Sequence, residues 1–287
     1  MAIKFEKVNY FYEKPKKNIL SAAAITDINL SVADQDEFVM IVGHTGSGKS
    51  TLLQHVNGLL LPSSGCVYID DYKLTSNRRK NPKLKPIRKK IGFVFQFPEY
   101  QLFEETVLKD IIYGPINFGM SEQEAIRNAK DVAKELKITN ILNKSPFNIS
   151  GGQMRKVAIA GILAYNPDIL LLDEPTRGLD PLGAKEIMKF FKDLQVHNHK
   201  SIIMITHDMD LVYEYATRVI VMNEGKVVFD GDKLELFKGE YLKHHLVKPT
   251  ILSTIDYINE HTNRNIGYDN YCLEDLIKSL KEGDFNE

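Results

Sequence analysis

A strand, a glycine-rich turn and a helix in immediate succession leave few folds open to this chain. The apolar run Phe38-Val39-Met40-Ile41-Val42 reads as a buried strand. Gly43-His44-Thr45-Gly46-Ser47-Gly48-Lys49-Ser50-Thr51 follows, matching G-x-x-x-x-G-K-[ST] in full, and Leu52-Leu53-Gln54-His55-Val56 continues as a helix. Glycines in such a turn let the backbone wrap phosphates with its amides pointing inward, and the helix N-terminus adds partial positive charge. Lys49 is expected to reach the β- and γ-phosphates, and the Ser50 hydroxyl to ligate Mg²⁺. Alone, the motif implies binding of a nucleoside triphosphate and says nothing of its use.

Further along, Ile149-Ser150-Gly151-Gly152-Gln153 precedes Met154-Arg155-Lys156-Val157-Ala158-Ile159-Ala160. Ser150 is a good N-cap, the two glycines permit close backbone approach, and the helix dipole favours an anion. By itself this pentapeptide is equally an ordinary Ser-capped helix start. Ile169-Leu170-Leu171-Leu172 is a second apolar strand, and it ends in Asp173-Glu174-Pro175. Two carboxylates there fit either the ligand-binding carboxyl edge of a parallel sheet or the acidic start of a helix. Gly178-Leu179-Asp180-Pro181 comes next, and a third apolar strand, Ile202-Ile203-Met204-Ile205, ends in Thr206-His207-Asp208. Between the two glycine-rich motifs lies Phe93-Val94-Phe95-Gln96.

These motifs, in their order along the chain, resemble the ATP-binding subunits of ABC transporters over roughly Met1 to Leu246. The resemblance implies an α/β fold of the P-loop NTPase ABC-ATPase type. That fold has a RecA-like parallel-sheet core, an antiparallel β subdomain and a helical subdomain (about 97–165), here with a short helical C-terminal extension (247–287). It implies ATP and Mg²⁺ as ligands. Asp173 would hold the Mg²⁺ shell beside Ser50, Glu174 would polarise the attacking water, and His207 would contact the γ-phosphate. Gln96 would sense Mg²⁺ and water and begin the segment that couples to membrane partners. Ser150, Gly151, Gly152 and Gln153 would complete the nucleotide site of an opposing subunit, and the Asp180 loop would cross the interface. Tyr12 aligns with the aromatic that stacks on adenine. Tyr10 is the competing candidate, although its even spacing suits a core-facing strand position.

Composition sets limits on partners. Charged residues make up 26% of the 287, and the net charge of −1 argues against a dedicated nucleic-acid binder. Cys66 and Cys272 are far apart and lack metal-ligand spacing, so both are expected as free thiols in a reducing cytoplasm. No apolar run approaches the roughly 18–20 residues that span a bilayer. A membrane role would therefore be peripheral, at the cytoplasmic face. From Tyr72 to Pro98 no acidic residue occurs, while Lys73, Arg78, Arg79, Lys80, Lys83, Lys85, Arg88, Lys89 and Lys90 are all basic. That stretch reads as a solvated loop or as an electrostatic contact for anionic headgroups or an acidic partner.

Local patterns fill in the rest. Ile3 to Ile41 reads mostly as strands with a polar turn at Glu13-Lys14-Pro15-Lys16-Lys17, and Cys66-Val67-Tyr68-Ile69 with Asp70-Asp71 reads as a hairpin. Glu105 to Leu142 is helical, with Ser121 and Glu124 as a capping signal. After Leu246, Val247, Ile251, Ile255 and Ile258 recur at near-helical spacing, as do Leu273, Leu276, Ile277 and Leu280. Helices this short need a surface to cover, either on the main domain or in ATPase pairing.

Within the family, that extension resembles the ATPases of energy-coupling factor transporters. The phrases around His44, Gln54-His55 and Phe97-Pro98-Glu99 look like those of this subfamily, and Gly152 to Gly161, with Met154-Arg155-Lys156, is closer to the second of its two paralogous ATPases than to the first. Two departures stand out: Ile149 replaces the usual leucine, and Arg177 replaces a small residue ahead of Gly178-Leu179-Asp180. The implied partners are a paralogous ATPase (heterodimer, or homodimer), a scaffold transmembrane subunit and a substrate-binding membrane subunit, with vitamins or transition-metal ions as cargo. The rivals are another type of ABC transporter ATPase and a soluble ABC ATPase. The segment between Gln96 and Ile149 is too short for the long coiled-coil insertion of the DNA-repair members.

Overall fold

Every residue is buried in three five-residue strands, β3 (Phe38–Val42), β7 (Ile169–Asp173) and β8 (Ser201–Ile205). Strands covered on both faces carry continuous apolar runs rather than alternation, which is what the sequence shows. In this computed structural model, which describes residues 3–13, 23–32, 36–262, 264–268 and 273–282, they form the middle of a six-stranded sheet. Its order is β10-β9-β3-β8-β7-β6, completed by β6 (Ile91–Val94), β9 (Arg218–Asn223) and β10 (Lys226–Gly231). All neighbours run parallel except β10, which closes one edge antiparallel to β9. Successive residues feed two cores. Phe38, Met40, Leu170 and Met204 enter one, while Val39, Ile41, Leu171 and Ile203 enter the other.

A second, antiparallel sheet lies on the second core, ordered β2-β1-β4-β5 from β1 (Ile3–Tyr10), β2 (Ile25–Val32), β4 (Ser64–Ile69) and β5 (Tyr72–Leu74). Its buried Ile3, Phe5, Ile28 and Val67 share that core with Leu52 and Leu53 of α1 (Lys49–Val56). The first core extends into a helical region of α3 (Val107–Asn117), α4 (Glu122–Glu135) and α5 (Gly151–Leu163). Ala125, Ala129 and Ala133 line one face of α4 at four-residue spacing, and Ser121 accepts the Glu124 N–H at 3.3 Å as its cap. The sheet is completed on this side by α6 (Pro181–Asn198) and α7 (Met209–Tyr215).

Two expectations need correction. The basic stretch is not a loop: it forms β5, a 3₁₀ turn at Arg78–Lys80 and helix α2 (Leu84–Lys90). Leu74 and Ile87 are fully buried, Leu84 packs partly buried on the second core, Arg88 donates to the Gly58 carbonyl at 3.2 Å and Lys90 pairs with Asp70 at 3.1 Å, which together order the segment. In the tail, after the short turns α8 (Lys233–Glu235) and α9 (Tyr241–Lys243), helix α10 (Thr250–His261) starts beyond Val247, which stays exposed. Leu252, outside the expected pattern, is buried with Ile255, and Leu276 of α11 (Leu273–Glu282) joins them in the first core. Thr250 ties the start of α10 to α7 by donating from its hydroxyl to Asp210 Oδ2 at 2.8 Å. The described part of the tail thus packs back on the main fold. The polar turn beyond Glu13 and Cys272 lie outside the described residues.

Candidate functional site

The parallel strands bring the chemistry-bearing residues to one edge. Register pairs Ile41 with Ile205, Asp173 with Ile205 and Val94 with Leu172. The carboxyl ends of β3, β8, β7 and β6 are therefore level, and the residues that follow each strand converge there. In open α/β sheets this edge is where ligands bind.

The turn after β3 can be built only with glycine at two positions. Gly43 has φ 139°, and a Cβ there would stand 2.1 Å from the Met222 carbonyl oxygen. Gly48 has φ 98°, with a Cβ 2.5 Å from the Ala24 carbonyl oxygen. The turn closes on its own lysine, whose Nζ donates to the carbonyls of Gly43 at 2.9 Å and His44 at 2.8 Å. Burial pushes the Lys49 pKa down, while the carboxylates of Glu174 and Asp173 work against that shift. His44 shares a hydrogen bond with Asn223 at 2.7 Å. The Ser47 hydroxyl is buried without a hydrogen-bond partner among the described residues. A buried lysine and an orphaned hydroxyl leave this turn with donors that an anionic phosphate would satisfy.

Asp173 is buried at the end of β7, and burial raises its pKa. A hydrogen bond from the Ser50 hydroxyl opposes that rise, the neighbouring Glu174 charge adds to it, and Lys49 and His207 oppose it. A hydroxyl and a buried carboxylate side by side are hard oxygen donors, and a small dication would offset the burial of the charge. The residues therefore fit Mg²⁺ carried in with phosphates.

Glu174 sits in the left-handed region at φ 49°, where a side chain costs about 1–3 kcal/mol and signals a constrained position. Its N–H donates to the Ile205 carbonyl at 3.1 Å, fixing it to the end of β8. Its carboxylate is encircled: Oε2 accepts from Gln96 Nε2 at 3.0 Å and Arg177 Nη1 at 2.9 Å, and Oε1 meets His207 Nε2 at 3.1 Å. Tyr12 presents an exposed ring beside the loop and shares a hydrogen bond with the Thr51 hydroxyl at 2.9 Å. Tyr10 lies behind it, edge-on to Tyr12 at 5.1 Å and to the buried His55 at 4.9 Å.

Ser150 to Gln153 is organised differently. Ser150 Oγ accepts from the Gln153 N–H at 3.3 Å, and Gln153 Oε1 accepts from the Ser150 N–H at 3.1 Å, a closed capping box. A Cβ on Gly151 or Gly152 would meet nothing within 4 Å. Nothing within the described chain requires glycine at either place. Asp180 caps α6, accepting from the Gly183 N–H at 2.9 Å.

One cluster escaped the sequence reading. Arg155, only 4% exposed, donates to Glu99 from Nε at 3.3 Å and Nη2 at 3.0 Å, and to the carbonyls of Pro175 at 3.4 Å and Arg177 at 2.6 Å. Arg155 thus joins α5, the segment after Gln96 and the loop after Glu174. The only advance signal was an arginine on an otherwise apolar helix face, which periodicity alone cannot pair with a partner.

Residues 25–177 match the ABC transporter family model. The chain is 52% identical over 254 residues to an energy-coupling factor transporter ATP-binding protein, EcfA2, of Ligilactobacillus salivarius, covering 87% of this chain and 86% of that one. The EcfA2 protein of Geobacillus kaustophilus is 51% identical over 239 residues, covering 83% and 81%. The chain belongs to the ATP-binding subunits of ABC transporters. Its relatives put it in the energy-coupling factor branch of that family. Among solved structures it resembles cbiO1 of Clostridium perfringens, described as part of the ABC transporter complex cbiONQ, with TM-score 0.72 and 34% identity over 98% of both chains. It also resembles the ATP-binding cassette MJ0796 in a dimeric post-hydrolysis state bound to ADP and Pi, with TM-score 0.69 and 33% identity over 80% of this chain and 98% of that one. As a member of this family it is an ATPase that takes ATP with Mg²⁺.

Proposed function

We propose that this chain is one half of a two-subunit motor that drives an energy-coupling factor importer, with residues 1–246 as the ATPase unit, about 97–165 as its helical arm and 247–287 as an extension. In this reading the loop from Gly43 to Thr51 cradles the phosphates, Lys49 meets the β- and γ-phosphates, and Tyr12 stacks on the adenine. Ser50 and Asp173 hold Mg²⁺, with Gln96 nearby, and the ion offsets phosphate charge. Glu174 polarises the attacking water, and His207 meets the γ-phosphate. The observation that carries these roles is the convergence of Lys49, Asp173, Glu174, His207 and Gln96 at one sheet edge.

Ser150 to Gln153, with the Asp180 loop, serves the nucleotide of an opposing ATPase, either a paralogue or a second copy. The open space around Gly151 and Gly152 supports that reading. No helix among the described residues is long and apolar enough to cross a membrane. Contact with the bilayer would therefore run through a scaffold transmembrane subunit at its cytoplasmic face, accompanied by a substrate-binding membrane subunit. Exposed aromatics at the segment after Gln96 support docking there: Phe97 packs on Tyr100 at 5.9 Å, and Phe103 stands edge-on to Tyr113 at 4.8 Å. Cargo is handled by those membrane subunits, with vitamins or transition-metal ions as the class that the branch suggests.

Glu174→Gln in the assembled transporter tests the central role. Turnover should fall by about 10²–10⁴-fold, the contribution of a positioned general base, with ATP affinity retained. Lys49→Ala should weaken ATP binding itself. Near wild-type hydrolysis by the Glu174 variant would remove the base assignment.

A further inference from the structure

The feature that the family pattern leaves unexplained is Arg177, and its position relative to the reacting centre is specific. Both carboxylate oxygens of Glu174 are engaged by the chain's own donors. Two of those donors, Gln96 and His207, have other business once nucleotide arrives, because each is also placed to address the metal or the γ-phosphate. The third donor has none. Arg177 reaches back three residues to Glu174 Oε2 at 2.9 Å, sharing that oxygen with Gln96.

The backbone of Arg177 is held on both sides. Its N–H donates to the Glu174 carbonyl at 3.1 Å, closing a turn. Its own carbonyl accepts from the buried Arg155 guanidinium at 2.6 Å, and the same guanidinium grips Glu99 in the segment after Gln96. The side chain is nevertheless 57% exposed, while Glu174 is 15% exposed. A guanidinium anchored by a rigid backbone but free at its tip can make or release one contact without disturbing the fold. An ion pair with one exposed partner, screened by solvent on the arginine side, is weak enough to break in each cycle.

We propose that Arg177 is a positioning residue that holds Glu174 in a resting orientation, occupying the oxygen that would otherwise face the attacking water. Hydrolysis then requires Arg177 to let go. The backbone clamp through Arg155 places this latch in mechanical continuity with Glu99 and the segment proposed to meet the membrane partner, and with the loop leading to Asp180. The proposal rests on Glu174 acting as the base.

The test compares ATP hydrolysis by Arg177→Ala, Arg177→Lys and Glu174→Gln with the native chain, alone and in the assembled transporter. Arg177→Ala should raise kcat about two- to fivefold, the rate equivalent of a solvent-screened ion pair, with KM for ATP unchanged. Arg177→Lys keeps one charged donor and should return kcat to the native value. Thermal melts of both variants should match the native chain, because the backbone contacts remain. Unchanged or lowered kcat in Arg177→Ala overturns the proposal, as does a lysine variant that behaves like the alanine one. If Glu174→Gln still hydrolyses ATP, the base assignment itself has failed. If Glu174→Gln is inactive and Arg177→Ala does not accelerate, only the latch is wrong.

Discussion

Two glycine-rich turns in this chain each open a helix, and they are built in opposite senses. The turn from Gly43 to Thr51 is dictated from within. Gly43 and Gly48 face backbone oxygens at distances no Cβ tolerates, Lys49 is buried against its own loop, and the strand before it is fully covered. The turn from Ser150 to Gln153 is dictated by nothing inside the described chain. Its box is satisfied locally, and its glycines look onto open space. The difference teaches that the first turn is fixed by the chain's own packing, whereas the second carries no such internal constraint, which supports its proposed role against a second molecule.

Arg155 ties the helix that the second turn opens to the segment after Gln96 and the loop after Glu174, and its removal should have the largest effect on stability. Arg155→Ala strips the half-buried Glu99 carboxylate and the carbonyls of Pro175 and Arg177 of their buried donor, and should cost about 3–5 kcal/mol. Chemical denaturation measures it. A cost below about 1 kcal/mol would mean that the helix opened by the second turn is not held to the loop after Glu174 through Arg155.

Paired glycine substitutions break or sharpen the contrast itself. Gly43→Ala combines a left-handed backbone with overpacking against Met222 and should destabilise by about 3–4 kcal/mol. Gly151→Ala should stay within about 0.5 kcal/mol, as a surface change does. Equal losses at the two positions would erase the distinction drawn here.

The smaller effect concerns acid. Burial pushes the pKa of His55, on the inward-built helix, down to about 4, and its hydrogen bond with the Thr51 carbonyl only partly opposes this. The unfolded chain takes up this proton near pH 6.5 and the folded chain only near pH 4. Stability from His55 is therefore intact above about pH 6.5 and is lost as pH falls towards 4, by no more than about 3 kcal/mol. His55→Leu should flatten that slope in denaturation curves taken between the two pH values. An unaltered slope would place the acid sensitivity elsewhere.

Much of this architecture was legible in the sequence because it is local. Five-residue apolar strands ending in Gly43, Asp173-Glu174 and Thr206-His207 mark a parallel sheet and its carboxyl edge without any knowledge of packing. What was not legible depends on distance in sequence. Glu99 and Arg155 sit on separate elements, and only the fold places the guanidinium between them and the Arg177 carbonyl. Helix α2 hides in a run of cations because only Leu84 and Ile87 supply its apolar side, and the contacts of Arg88 and Lys90 to Gly58 and Asp70 leave no periodic signal. In the tail, Leu252 rather than Val247 takes the core position because α10 begins at Thr250, where Asp210 catches its first turn. Tyr10 and Tyr12 share a strand end, and only burial tells the exposed ring from the one behind it.

The central claim is that the Ser150 face works on another subunit's nucleotide. Mixed assemblies with a single competent phosphate loop test it directly. In one, this chain carries Ser150→Arg together with Lys49→Ala, so that only the partner's loop holds ATP. In the other, this chain carries Ser150→Arg alone and the partner's loop is disabled, so that only Lys49 holds ATP. The account predicts that hydrolysis collapses in the first assembly and that the second keeps the rate of a single-site control with native Ser150. Collapse in the second assembly with survival in the first would show that Ser150 serves the nucleotide of its own chain, and would contradict the account.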